Sequence, residues 1–379
     1  VDASSINDRL LKAQQRFLNL ILTGVNPFLA ILLALLVSAV LILSQGANPI
    51  AAYLAIAKGS FGSVNAIANT AVRTTPLLIG GLGIALGIQA GLFNIGAEGQ
   101  LYVGAAFATA VGITPLPIPA WLHIMLAVLA GILGGALMAA IPAFLRAFRG
   151  VSEVVVTIML NYVGVHFVSY LVEEATPLSD RTKFYPMSPL IQETAQFPRL
   201  IPNTNMHIGI VIAVTLGVVM YVVLKNTPVG FRIRMLGGNP EAARYAGVKA
   251  KYLLFAVFLV VGGFSGLMGT SEILGLKLRL YDHFSSGLGF AAISVALLAG
   301  ANPIGVIVTS FFFGALSAGA GLMQQTTGIE ASMADVIQAL VILFIVGIGL
   351  YRRDTLFIKE RLQRSLKEAE VEELDHDGV

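Results

Sequence analysis

The 379-residue chain has no cysteine, so disulfides and thiolate metal sites are excluded. No His, Asp or Glu set stands at ligand spacing, so no metal is expected. Charge is scarce, at 12% Asp, Glu, Lys and Arg. No segment matches G-x-x-x-x-G-K-[ST], so no ATP site is expected in this chain. Residues 1–23 are too polar for a removable signal peptide. What the chain has is apolar surface: 56% hydrophobic residues, a mean hydropathy of +0.82 and 40 glycines. Glycine in that quantity suits helices that approach closely in a membrane. An isoelectric point near 9.1 raises nucleic acid as a partner. The cations, however, fall in loops beside apolar runs, so the expected neighbour is membrane lipid and no nucleic acid.

Windows long enough to cross a bilayer (about 20 residues) fall near 27–45, 76–92, 95–113, 121–143, 152–172, 207–224, 252–271, 288–301, 303–322 and 332–350. The expected fold class is an all-α membrane protein of about ten transmembrane helices. With the N-terminus inside, the inner segments hold 17 Lys and Arg and the outer ones 7, which favours cytoplasmic N- and C-termini. The membrane domain is placed at 27–351, after a cytoplasmic segment at 1–26 and before a charged cytoplasmic tail at 352–379. In the first segment Ile6, Leu10, Ala13, Phe17 and Leu20 recur at helical spacing. It reads as an amphipathic surface helix or as a plain extension of the first span. The outer loop at 173–206 carries five prolines and is either a docking platform or a connector.

Between the sixth and seventh windows lies a polar stretch at 237–251, GGNPEAARYAGVKAK. Asn239 suits an N-cap, Pro240 the first helical position, Glu241 the positive end of the dipole and Gly247 a left-handed stop. A soluble helix with its own start and stop, held on the cytoplasmic surface, is shaped to touch another protein.

A second feature is GLFNIGAEGQ at 91–100, which interrupts an apolar run with Asn94, Glu98 and Gln100. Polar groups at membrane depth are costly and line interior paths, and glycine-broken helices point to substrate pathways. The alternative is a solvated surface turn. Ser152 can cap the helix that starts at Glu153, and Asn161 two turns deeper either bonds between helices or lines a path. GANPI occurs at 46–50 and again at 300–304, a repeat that common turn chemistry explains. Gly263-Phe264-Ser265-Gly266 matches the G-x-S-G of intramembrane proteases, with His123 or His166 as partner. The Gly262-x-x-x-Gly266 spacing reads equally as helix packing, and no catalytic residue is expected.

The motifs GLFNIGAEGQ (91–100), SEVVVTIMLNY (152–162), GNPEAARYAG (238–247) and GLGFAAISVALLAGANPIG (287–305) together resemble permeases of bacterial ABC importers. The branch is the nucleoside and simple-sugar group of the ribose/branched-chain amino acid permease superfamily. NPIAAYLAIAKGSFGS (48–63) and TPLLIGGLGIAL (75–86) look most like the longer of two nucleoside permeases. The resemblance implies two inverted repeats and a coupling helix at 238–247. Asn239, Pro240, Glu241, Ala242, Arg244, Tyr245 and Gly247 would meet the ATPase. It implies a second related permease as heterodimer partner and an ATPase subunit with two fused nucleotide-binding domains that binds ATP and Mg. A periplasmic or lipid-anchored substrate-binding protein would deliver cargo. This chain would hold no cofactor. Two positions depart from the family pattern, Gln89 in place of Arg and Ala301 before Asn302, and both bear on cargo rather than architecture.

A neutral, aromatic nucleoside needs a stacking surface and hydrogen-bonding groups, for which Phe93, Asn94, Glu98, Gln100 and Asn161 are nominated. Ribose-like sugars are the alternative cargo. A secondary transporter driven by an ion gradient, with Glu98 or Glu153 titrating, is the other class, but it gives the capped polar helix no role.

Overall fold

A computed structural model describes residues 28–173, 176–180, 182 and 185–348. The segment expected at 1–26 and the tail at 352–379 lie outside them. The chain divides into two compact units, residues 1–46 with 335–379, and residues 47–334. The first contributes helix α1 (Phe28–Ser44) and most of the last helix, Met333–Ile348.

The larger unit runs α2 (Pro49–Phe61), α3 (Val64–Gln89), α4 (Ala97–Gly112), α5 (Ala120–Phe144), α6 (Glu153–Val172), α7 (Gly209–Asn226), α8 (Pro228–Gly238), α9 (Pro240–Tyr245), α10 (Ala250–Glu272), α11 (Leu288–Leu298) and α12 (Pro303–Thr327), followed by α13 (Met333–Ile348). π-turns at Leu145–Arg149 and Ile273–Lys277 extend α5 and α10. The described residues form no strand beyond two isolated bridges, Met187 with Tyr281 and Arg199 with His207.

Each of the ten expected windows contains a helix. Among the described residues six helices, α3, α5, α6, α7, α10 and α12, are long and apolar enough to cross alone; α1 with α2 make a seventh if they form one span. At 1.5 Å per residue α4 and α11 reach only about 24 and 16 Å, less than a hydrocarbon core.

Two expectations are corrected. Residues 49–61 form α2 rather than a loop, and α3 begins at Val64 rather than 76. Asn65, Asn69 and Arg73 lower the local hydropathy there without breaking the helix. Ser152 occupies the N-cap of α6 but makes no side-chain cap bond.

The two GANPI segments share a left-handed glycine and an asparagine cap but differ at the alanine between these, where Ala301 is left-handed (φ 56°) and Ala47 is not. Gly46 and Gly300 are left-handed (φ 80° and 58°), and Asn48 and Asn302 cap α2 and α12 through bonds from Ile50 N and Ile304 N. Each proline then takes the first helical position.

In the larger unit α3 packs among α2, α7, α10, α11 and α12, and α10 also packs on α4 and α5. Backbones meet where side chains are absent: Gly135 lies against Gly262 and Gly266, so that spacing is helix packing. Ser265 is fully buried, its Oγ donating to Val261 O at 3.2 Å. His123 is held by Thr194 Oγ1 at 2.8 Å and Val111 O at 3.0 Å. His166 is exposed. No nucleophile–base pair results.

The long loop after α6 is tied to the far ends of α4 and α10. Gln192 N donates to Gly112 O, Phe197 N to Leu274 O and Ile191 N to Leu278 O, each at 2.9 Å. Arg279 pairs with Asp180 at 3.1 Å and donates to Ser188 O. Hydrogen bonds from Thr182, helped by Arg279, hold the Asp180 carboxyl below its ordinary value.

His207 closes this layer. It is buried beside Phe197, and its Nδ1 accepts from Gly209 N at 3.1 Å. Burial pushes its pKa from 6.5 down to about 4. The neutral ring is therefore the folded form. Its contribution is complete above about pH 6.5 and is lost as pH falls from there towards 4, up to roughly 3 kcal/mol. Thermal unfolding of the purified protein should show this acid sensitivity between pH 7 and pH 5. His207→Asn, which retains an acceptor but cannot titrate, should flatten it; an unchanged pH slope in that variant would assign the sensitivity elsewhere.

Candidate functional site

The polar helix forms as its sequence directs. Asn239 Oδ1 accepts from Glu241 N at 3.0 Å and Ala242 N at 3.1 Å, and Pro240 opens α9. Gly247, at φ 79°, closes it, with Val248 N donating to Ala243 O. Ala243 is fully buried and pins the helix, while Asn239, Pro240, Glu241, Ala242, Arg244 and Gly247 are exposed. Tyr245 is 94% exposed, an aromatic side chain with almost no cover.

The end of α8, immediately before α9, is seated on the break between α3 and α4. Gly237, two residues before the cap, lies flat against Gln89, Ala90 and Gly91: a side chain there would overlap Gln89 O and stand 2.8 Å from Gly91 N. Gly91 is itself left-handed at φ 76°. A cavity of about 380 Å³ lies beside this contact, lined by Gly91, Arg146, Gly237, Pro240, Arg244 and Lys251 among others.

From the contact the chain enters the broken segment, whose polar side chains engage one another. Asn94 and Gln100 exchange amide bonds at 2.8 and 3.3 Å, and Asn94 Oδ1 also takes Gly96 N at 3.0 Å. Asn161 crosses from α6, taking Gly99 N at 2.8 Å and donating to Ile95 O at 2.9 Å. Glu98 Oε2 takes Gly289 N, in the first turn of α11, at 2.6 Å. Glu153 takes Phe93 N at 3.4 Å through one oxygen and pairs with Arg146 at 3.1 Å through the other. Gln89 donates to Ala301 O at 3.2 Å.

Irregular backbone at membrane depth is stable only where its polar groups are satisfied inside the protein. These amides and carboxylates do that. Asn94, Glu98, Gln100 and Asn161 are all buried; of the five nominated residues only Phe93 is exposed, at 39%.

A polar helix held against a glycine-broken membrane segment is the arrangement of a transport subunit, and the whole sequence agrees. It matches the family described as branched-chain amino acid transport system, permease component, over residues 66–346. The chain belongs to this permease family. It is 34% identical to the guanosine ABC transporter permease protein NupP of Bacillus subtilis, over 85% of this chain and 92% of NupP. It is 35% identical to the glucose ABC transporter permease protein TsgB13 of Haloferax volcanii, over 86% and 88%. It is 34% identical to the nucleoside ABC transporter permease protein NupB of Lactococcus lactis, over 84% and 89%. No solved structure matches it. This permease is thus a multi-pass integral membrane protein and a transport component.

The sequence pointed to α9 and the 91–100 break. It gave no sign that they touch, because the link is the backbone of Gly237, the first residue of the 237–251 stretch, and no local pattern marks that contact. It also passed over Asn65, Asn69 and Arg73, assigned to a loop.

Proposed function

We propose that this permease carries nucleosides across the bacterial cytoplasmic (inner) membrane as one half of an ATP-driven importer. The observation that carries this reading is the exposed, capped α9, which follows directly on α8, whose Gly237 rests on the broken span. An ATPase subunit with two fused nucleotide-binding domains, holding ATP and Mg, receives α9 in a groove. Asn239, Pro240, Glu241, Ala242, Arg244, Tyr245 and Gly247 form the contact. Closure of the ATPase displaces α9 as a rigid body, and Gly237 passes the displacement to Gly91 and the hydrogen-bonded segment behind it. Phe93 supplies the stacking face of the path, and Asn94, Glu98, Gln100 and Asn161 shape and polarise its wall.

The full fold in this reading has ten spans in two inverted repeats, with both termini cytoplasmic. A second, related permease completes the path as a heterodimer. A periplasmic or lipid-anchored binding protein delivers cargo to the opposite face, where the loop at 173–206 receives it.

Nucleosides are favoured by NupP and NupB; a simple sugar is the second reading, which TsgB13 supports. The test is ATPase activity of the complete complex in lipid with its binding protein. Stimulation by guanosine or other nucleosides and not by glucose is the expected result. Stimulation by glucose alone would change the cargo, and import that needs an ion gradient but no ATPase would remove the reading.

A further inference from the structure

Asn65, Asn69 and Arg73 stand four residues apart and share one face of α3. All three are exposed, in a helix whose most apolar 18-residue stretch is 89% buried. Neither amide has a hydrogen-bond partner among the described residues. Arg73 interacts electrostatically with the buried Glu272, whose carboxylate lies 3.8 Å from Lys277 Nζ. Arg73 stands about 13 Å into a helix about 39 Å long. Polar and charged side chains at membrane depth avoid hydrocarbon and turn to the protein interior or to a water-filled path.

We propose that Asn65, Asn69 and Arg73 form a hydrated, hydrogen-bonding strip of the substrate path that contacts the hydroxyl-bearing part of a neutral solute. The proposal rests on the import reading above and adds a substrate contact at the end of α3 opposite the break. Carboxamides donate and accept together, as hydroxyls do. The same helix ends at Gln89, against Gly237, so displacement of α9 acts on the helix that carries the strip.

Because the chain has no cysteine, Asn65→Cys, Asn69→Cys and Arg73→Cys each give it a single thiol. The complete complex in lipid, retaining measurable transport, is treated with a membrane-impermeant methanethiosulfonate, and modification of this chain is read by mass. Positions 69 and 73 should be modified, guanosine should slow the modification, and buried Ala71→Cys should stay unmodified. Asn69→Ala should raise the KM for transport about 5- to 10-fold, the worth of one hydrogen bond. Import of guanosine with positions 69 and 73 unmodified, or modified at a rate indifferent to solute, overturns the strip and leaves the nucleoside reading standing. Protection by glucose and not by guanosine supports the strip and removes that reading.

Discussion

Gly237→Ala should leave ATP hydrolysis by the complex intact and abolish most transport. The added methyl has no free space: it overlaps Gln89 O and crowds Gly91 N at 2.8 Å, all of it backbone. Backbone cannot rotate away as a side chain does, so α8 and the break must separate. Overpacking of this kind costs about 1–3 kcal/mol, and it falls on the backbone contact between the end of α8, just before α9, and the start of the break. A loss of coupled transport of about 5- to 100-fold follows, since about 1.4 kcal/mol is a factor of ten. Gly238→Ala is the matched control, because a methyl there meets nothing within 4 Å. The measurement is ATPase rate and substrate uptake in the same proteoliposomes. Normal uptake in Gly237→Ala would show that motion reaches the path by another route. Equal loss in both variants would place the defect at the surface that meets the ATPase.

The importance of Gly237 also marks where sequence reading stops. The local code of α9 was legible throughout, because caps and stops are set by neighbours within four residues: Asn239, Pro240 and Gly247 do what their types dictate. The same holds for both GANPI joints. Helix positions followed from apolar windows, except where polar residues served a purpose other than ending a helix. Asn65, Asn69 and Arg73 made the first part of α3 read as a loop, and α2 was too short to register as a span. In the break, the residue types announced a polar cluster. Their partners were not legible, because Asn161 and Gly99 are distant in sequence and Glu98 and Gly289 more so. Ser152 stands at the N-cap of α6 without a side-chain bond, while Glu153 in the first turn bonds Arg146 and Phe93 N. Hydrogen bonds between helices depend on packing, and packing here rests partly on glycines such as Gly237 and Gly289 that no spacing marks, unlike Gly262 and Gly266.

Glu98→Ala should be the most destabilising single change within the break. Its carboxylate lies in the first turn of α4 and, through the 2.6 Å bond from Gly289 N, at the first turn of α11 as well. Two helix N-termini thus direct their partial positive charge at one buried carboxyl group. Gly289 has no side chain because one would crowd the Glu98 backbone, so the two turns are in direct contact. Alanine would leave the Gly289 N–H buried without an acceptor and both dipoles unopposed, at a cost of about 1–3 kcal/mol for the lost charged hydrogen bond alone. The two short helices, neither long enough to span alone, would then lose their junction. The expected result is a lower thermal midpoint of the purified complex and no measurable transport. Glu98→Gln retains an acceptor for Gly289 and should keep most of the stability. If the negative charge shapes the path, that variant folds normally yet transports more slowly. Wild-type kinetics in Glu98→Gln would confine Glu98 to holding α4 against α11 and leave Phe93 as the contact with cargo in this segment.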